Sequence, residues 1–291
     1  MKRLGLSRKF GAYLFLLPWL CILLIFTLYP FVEGIRMSLY DFSLREQTFI
    51  GLENFRQLFS DNAFWRSLRV TLHMCAIIIP GTLIFSLTVA YAIQDLPGLW
   101  KSFFKIVFYL SAIVSQVALV MVWKWMFNPS YGWYKTLCRE LGMVELNLLG
   151  DSTYSVPLIA ILVLSFTVSQ PIVLFSAAID GIPQSYFEAC QLDGAGRFTQ
   201  FRKVTMPQIS HVLLLVTVTT TINNLQVFVV PQLLTGGGPN GQTTPVLLQI
   251  YNTAFEFGKY GYASAMGVIL FAVIGAFVAV QFLLRREEGV S

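Results

Sequence analysis

Residues 183–207 read PQSYFEACQLDGAGRFTQFRKVTMP, a polar island between two long apolar runs, and how those runs are organised follows from how this island is read. Pro183 and Pro207 bracket it. Between them the pattern predicts a helix over about 184–192, a break at Gly194, where a backbone without a Cβ turns freely, and a second helix carrying Phe198, Phe201 and Val204 on one face. A rim of charge, Glu188, Asp193, Arg197, Arg202 and Lys203, surrounds that apolar ridge. Outside a membrane such a helix pair is either a docking surface for a partner or an ordinary surface connection between two spans.

Composition names the solvent. Of 291 residues 56% are hydrophobic and 12% charged, against about 25% charged in an ordinary globular domain. Apolar runs of the length that crosses a bilayer recur at about 13–31, 69–93, 105–127, 156–178, from 209 onward, and 263–284. The fold class that follows is all-α, a polytopic membrane protein with six transmembrane helices, forming a single domain over 1–291. The first run follows Lys2, Arg3, Arg8 and Lys9; it is longer than a signal-peptide core and no small-residue cleavage site follows, so it is expected as a retained first span. Pro80 lies inside the second run, tolerable where neighbouring helices satisfy the freed carbonyl. Trp123, Trp125 and Phe127 form an interfacial girdle at the end of the third.

Six spans put both ends of the chain and the 183–207 loop on one face. The basic residues are densest there, four within the first nine positions, which places N and C termini and the loop in the cytoplasm by the positive-inside tendency. The net charge of +5 is scattered rather than gathered into a patch, which excludes a nucleic-acid surface. Cys21, Cys75, Cys138 and Cys190 show neither metal spacing nor a disulfide framework. His73 and His211 have no acid or thiol partner nearby in sequence, no nucleophile motif occurs, and the expectation is a chain that is not an enzyme. The stretch from Gly236 to Thr243 is one residue away from a phosphate-binding loop but lacks its lysine and follows a membrane span rather than a strand.

The fifth run is the most polar inside: Thr217, Thr219, Thr220, Thr221, Asn223, Asn224 and Gln226. Amides in hydrocarbon must meet a partner or water. Asn223, Gln226 and Thr219 share one helix face by their spacing, and Thr220 and Asn224 the adjacent one. Two uses are open to them: hydrogen bonds that hold packed spans together, or the lining of a path for a polar solute, for which uncharged donor–acceptor groups suit sugar hydroxyls. The fourth run contributes Ser165, Thr167, Ser169 and Gln170-Pro171, where the proline loosens the helix. No acid lies in the interior of any run, contrary to what a proton-coupled carrier would use.

Glu188-Ala189-Cys190, three residues, Gly194, nine residues, then Val204-Thr205-Met206-Pro207 resembles the EAA loop of the membrane subunits of binding-protein-dependent ABC importers, with Cys190, Val204 and Met206 as small departures. Thr235-Gly236-Gly237-Gly238-Pro239 resembles the LTxGGP segment of the carbohydrate-uptake members, and Gly51-Leu52-Glu53-Asn54-Phe55 their GLxNF segment, although that piece alone also reads as a generic turn before a short helix. The resemblance covers nearly the whole chain. It implies a type I importer permease whose coupling helix, carried by Glu188, Ala189, Asp193, Gly194, Arg197, Phe198 and Pro207, docks into a cytoplasmic ATPase. It implies a solute site at Ser169, Gln170, Thr220 and Asn224, beside which Asn223 and Gln226 stand by residue type, and an external turn at Thr235, Gly237, Gly238 and Pro239 near a docked binding protein. Val227 stands where the maltose-type subunit is polar.

The implied partners are a second homologous permease subunit, two ABC ATPases, an extracellular solute-binding protein, a sugar or oligosaccharide and membrane lipid. ATP and Mg²⁺ belong to the ATPases, so no cofactor and no metal are expected in this chain. The alternatives are an importer of a polyol phosphate such as glycerol 3-phosphate, an ion-coupled secondary carrier, and a membrane scaffold without transport.

Overall fold

The computed structural model describes residues 15–42 and 47–288. The basic cluster at Lys2–Lys9 therefore lies outside the described residues. Among the described residues four helices are long and apolar enough to cross a membrane, and two bent pairs raise the number to six if each pair is one span. The described residues form two compact units, residues 15–61 with 250–271, and 62–249 with 272 onward.

In the first unit, helix α1 (Phe15–Met37) is a continuous apolar span with one wider turn at Leu24–Leu28. Its large apolar side chains are mostly exposed. After α1, strands β1 (Tyr40–Phe42) and β2 (Gln47–Phe49) pair antiparallel, and α2 (Glu53–Ser60) follows the turn at Gly51. Asn54 explains why an amide stands there. It is buried, and its Nδ2 donates to the carbonyls of Ser38 at 2.8 Å and Tyr40 at 2.9 Å, closing the end of α1 onto the hairpin. Gly261 completes the unit: a Cβ at that position would stand 2.1 Å from the Tyr40 carbonyl oxygen, so only glycine allows this approach.

The second unit is built around α3 (Asn62–Ala92). Its buried face carries Ser67, Thr71, Cys75, Ile78, Thr82, Ser86 and Ala90, mostly small residues recurring at helical spacing. Packed against it are α7 (Ser152–Thr167) and α8 (Ser169–Asp180), together with α11 (Ser210–Leu225). Between these in sequence come α4 (Gly98–Ile113), α5 (Gln116–Met126), α6 (Trp133–Glu140), α9 (Gln184–Leu192) and α10 (197–208). Beyond α11 lie α12 (Val229–Thr235), α13 (Val246–Tyr251) and α14 (Tyr260–Glu288), the last two continuing from one unit into the other. In lipid the side chains gain little from leaving their surroundings, so close packing and interhelical hydrogen bonds carry helix association. The small face of α3 supplies both: a Cβ on Gly81 would stand 2.3 Å from Leu164 Cδ1, and Thr82 and Thr167 share a 3.0 Å hydroxyl hydrogen bond.

Three expected spans differ from single straight helices. The third is two helices, α4 and α5, bent by 88° at Val114 and Ser115, whose backbones are extended. No proline or glycine marks that break. The fourth bends by 47° between α7 and α8, where Pro171 has no N–H to offer the carbonyl four residues back. The fifth span stops at Leu225, the end of α11, and resumes at Val229 as α12.

Asn54→Ala strands two carbonyls that the wild-type amide satisfies. It is expected to cost ~1–3 kcal/mol and to lower the midpoint of thermal unfolding of the detergent-purified protein.

Candidate functional site

At the bends of the third and fourth spans the helices part and leave a cavity of about 310 Å³. Its wall comes from five helices, α4, α5, α7, α8 and α11. α4 and the bend beyond it contribute Ser111, Ala112, Val114 and Gln116. From α7 and α8 come Phe166, Thr167, Gln170, Pro171 and Leu174, and α11 adds Val216, Thr219, Thr220, Asn223 and Asn224. Hydroxyls and amides alternate with apolar surface, and none of the described lining residues is charged. Such a wall donates and accepts hydrogen bonds without preferring a sign of charge.

The polar groups of the fifth span divide between the two uses open to them. Thr217 and Thr221 bond back to the carbonyls of Leu213 and Thr217, and Gln281 Nε2 donates to Thr221 Oγ1 at 2.7 Å, a helix-to-helix tie. Thr219, Thr220, Asn223 and Asn224 border the cavity instead. Asn224 is almost wholly buried, with its Nδ2 donating to Thr220 O at 2.8 Å, so it stiffens the wall it belongs to. Gln226 is outside the lining: it caps the end of α11 and is exposed, because the helix terminates one residue earlier. Ser169 is set back as well, fully buried and paired with the hydroxyl of Ser111. Gln170 faces the cavity.

Ser111 and Gln116 belong to the wall although sequence reasoning passed them over. Their signal was present: Ser111, Ser115 and Gln116 interrupt the apolar run 105–127. Without the bend at 114–115, however, they read as isolated polar residues in a continuous span.

Loop 183–207 is a helix pair joined by a glycine turn. Gly194 has φ +75°, Gly194 N bonds Gln191 O, and Ala195 N bonds Cys190 O. This is the paired hydrogen-bond pattern that closes a helix on a left-handed residue. Inward, Tyr91 stacks edge-on with Phe201 at 4.9 Å and donates to Arg197 O at 2.9 Å, while Arg197 pairs with Asp95 at 3.0 Å. Outward, Glu188, Ala189, Asp193, Gly194, Arg197, Phe198 and Pro207 are all exposed. Phe198 is 75% exposed and Leu192 90%, an uncovered apolar tip. The ridge expected from Phe198 and Phe201 is therefore divided, one ring outward and one inward, where α10 widens at Phe201–Thr205.

Thr235, Gly237, Gly238 and Pro239 form a hydroxyl-knotted turn. Thr235 Oγ1 and Thr243 Oγ1 lie 2.7 Å apart, Thr243 donates to Gly238 O and Thr244 to Gly237 O. Gly237, at φ +87°, has no room for a Cβ, which would fall 2.3 Å from Thr244 Oγ1. Val246 N donates to Thr71 Oγ1 and Arg66 to Asn240 O, tying the turn to α3. Among the described residues no group of three potential metal ligands occurs.

The sequence model for a binding-protein-dependent transport system inner membrane component matches residues 17–286. Relatives include a permease protein of the diacetylchitobiose uptake system of Streptomyces coelicolor, 32% identical over 93% of this chain and 80% of its own length. A permease protein of the trehalose/maltose transport system of Thermococcus litoralis is 30% identical over 94% of this chain and 93% of its own. In fold the chain resembles a crystal structure of a bacterial alginate ABC transporter in complex with a periplasmic protein bound to alginate pentasaccharide, with a TM-score of 0.86 at 22% identity over 98% of both chains.

Gly194→Val forces a branched side chain into left-handed backbone. A cost of ~1–2 kcal/mol is expected, read as faster amide exchange at Gly194 and Ala195 with exchange in α3 unchanged.

Proposed function

This chain belongs to the family of binding-protein-dependent transport system inner membrane components, and from that premise we propose that it is a permease subunit of an ATP-driven importer that brings a sugar or oligosaccharide into the cytoplasm. A second, related permease completes the pathway. Two ATPase subunits bind and hydrolyse ATP with Mg²⁺, and an external binding protein delivers the solute. The loop 183–207 and both termini face the cytoplasm, a placement supported by the basic residues crowded into the first nine positions.

The observation that carries the solute class is the uncharged polar wall of the cavity. A carbohydrate offers hydroxyls that donate and accept, and Gln170, Thr219, Thr220, Asn223 and Ser111 answer both roles. A polyol phosphate would need a cation to offset its charge, and the described lining holds none. The solutes for which the relatives' transport systems are named, diacetylchitobiose and trehalose or maltose, support the same class. A buried polar site where broken helices meet is also where transporters bind solute at mid-membrane.

Import follows from alternating access. ATP binding draws the two ATPases together, the exposed tip at Leu192 and Phe198 transmits that displacement, and the helices around the cavity exchange outward for inward opening. The turn at Thr235–Pro239 lies at the opposite, external end, where its rigid hydroxyl-tied backbone meets the binding protein.

Two measurements test this. Affinity capture of the chain from detergent-solubilised membranes is expected to bring down a second six-span permease and a nucleotide-binding ATPase; a chain that emerges alone, with transport dependent on an ion gradient, points to a secondary carrier instead. In the reconstituted complex, Asn223→Ala and Asn224→Ala are each expected to lower uptake of the transported sugar by about tenfold, equivalent to ~1.4 kcal/mol of lost recognition, with assembly intact. Unaltered uptake would mark the amides as packing groups, and a scaffold role would then fit better.

A further inference from the structure

We propose that α4 and α8 form one rigid unit, fastened at both ends, that carries the displacement of loop 183–207 to the solute cavity, with Asp180, Lys101 and Lys105 as positioning residues at its loop end. The inference rests on the import function above. α4 and α8 pack against each other. At the loop end, the last residue of α8, Asp180, pairs through one carboxylate oxygen with Lys101 Nζ and through the other with Lys105 Nζ at 3.0 Å. The two lysines are four residues apart on α4 and so lie on the same face. Lys101 Nζ also donates to Gln94 O at 3.2 Å, which draws in the turn between α3 and α4.

These are not free surface charges. Lys101 is 19% exposed, Lys105 28% and Asp180 34%, so the three are shielded from much of the solvent screening that weakens exposed pairs. Lys105 sits inside the apolar stretch Phe103–Tyr109, where a lysine is costly without a partner. Its partner comes from another helix.

At the far end, the hydroxyls of Ser111 on α4 and Ser169 on α8 are hydrogen-bonded to each other. The eleven steps from Ser169 to Asp180 separate the two fastenings by about 16 Å at 1.5 Å per residue. Beyond the serine pair the chain bends on both sides, at Val114–Ser115 and at Val168. The cavity wall begins at those bends, with Ala112 and Val114 on one strand of the path and Gln170 and Pro171 on the other. α8 also leads directly into the loop, since only Gly181, Ile182 and Pro183 separate Asp180 from α9. A displacement of the loop therefore reaches the wall through two antiparallel helices held side by side, and the bends, not the helices, absorb the change.

The test uses the assembled complex in nanodiscs. Nitroxide labels are placed at Leu99 on α4 and Leu192 at the loop tip, both about nine-tenths exposed, with Cys21, Cys75, Cys138 and Cys190 replaced by Ser. The label separation is compared without nucleotide and after trapping with ATP and vanadate. In the otherwise wild-type complex the separation is expected to be the same in both states. Asp180→Asn is expected to shift and broaden it on trapping, with vanadate-sensitive ATP hydrolysis within twofold of wild type, and the exchange Lys101→Asp/Asp180→Lys is expected to restore the constant separation. If Asp180→Asn does not assemble, Lys101→Met/Lys105→Met replaces it with the same expectation. An unchanged separation in the variant, or no restoration by the exchange, overturns the proposal while leaving import intact. A wild-type complex without vanadate-sensitive hydrolysis would instead overturn the import function itself.

Discussion

Backbone polar groups inside a membrane must be satisfied by the protein, since lipid offers no hydrogen bonds. α3 answers that constraint at two departures from regular helix, the bend between α7 and α8 and the start of α13. Ser86 Oγ donates to the carbonyl of Val168 at 3.2 Å, at the bend between α7 and α8 where the ladder is interrupted. Thr82 meets Thr167 one turn away, and Thr71 accepts from the N–H of Val246 where α13 begins. Without Thr71 in that column of small hydroxyl residues the buried N–H of Val246 would lose its acceptor, and a buried backbone group left unpaired costs several kcal/mol.

The same column sets how closely the helices approach. Small side chains on the buried face of α3 let α7, α8 and α11 pack against one helix at once. Around it two apolar clusters form. One gathers Met74, Ile78, Ile159, Val163 and Val230, and the other, toward the 183–207 loop, gathers Ala90, Phe175, Ile179, Ile209 and Val216. The polar cavity is formed from the bends, with Val216 belonging to both the second cluster and the wall. An apolar, close-packed frame around an uncharged chamber with a polar wall suits a protein whose task is to let a polar solute pass.

Charge is used differently. It is absent from the described cavity wall and gathered around the base of the loop, where Asp95, Arg197, Lys101, Lys105 and Asp180 pair across helices. The loop thus has a fastened inner side and an uncovered outer side with Leu192 and Phe198 at its tip. An apolar tip on a charged and tethered base is the arrangement expected of an element that receives a push from a partner and must not yield to it.

Much of this was legible in the chain. Hydrophobic run length identified a six-span membrane protein, because a bilayer sets the length of the helices that cross it. The EAA and LTxGGP segments pointed to the importer family, and Gly194 to its turn, because only a residue without Cβ takes a left-handed backbone cheaply. The small hairpin at Tyr40–Phe49 was not legible: it is three residues per strand and is held by Asn54 and Gly261 from elsewhere in the chain. Nor was the 88° bend at Val114, which no proline or glycine announces. Periodicity told that Thr217, Thr219, Thr220, Thr221, Asn223, Asn224 and Gln226 had to find partners, but not which would face solute and which a neighbouring helix. That division depended on where α11 ends, on Gln281 reaching Thr221, and on the cavity opening beside Gln170. Sequence determined the local conformations and the solvent of each segment, since these depend on neighbours along the chain. Only the tertiary structure decided which polar groups meet, because hydrogen bonds across helices join residues tens of positions apart that no local pattern relates.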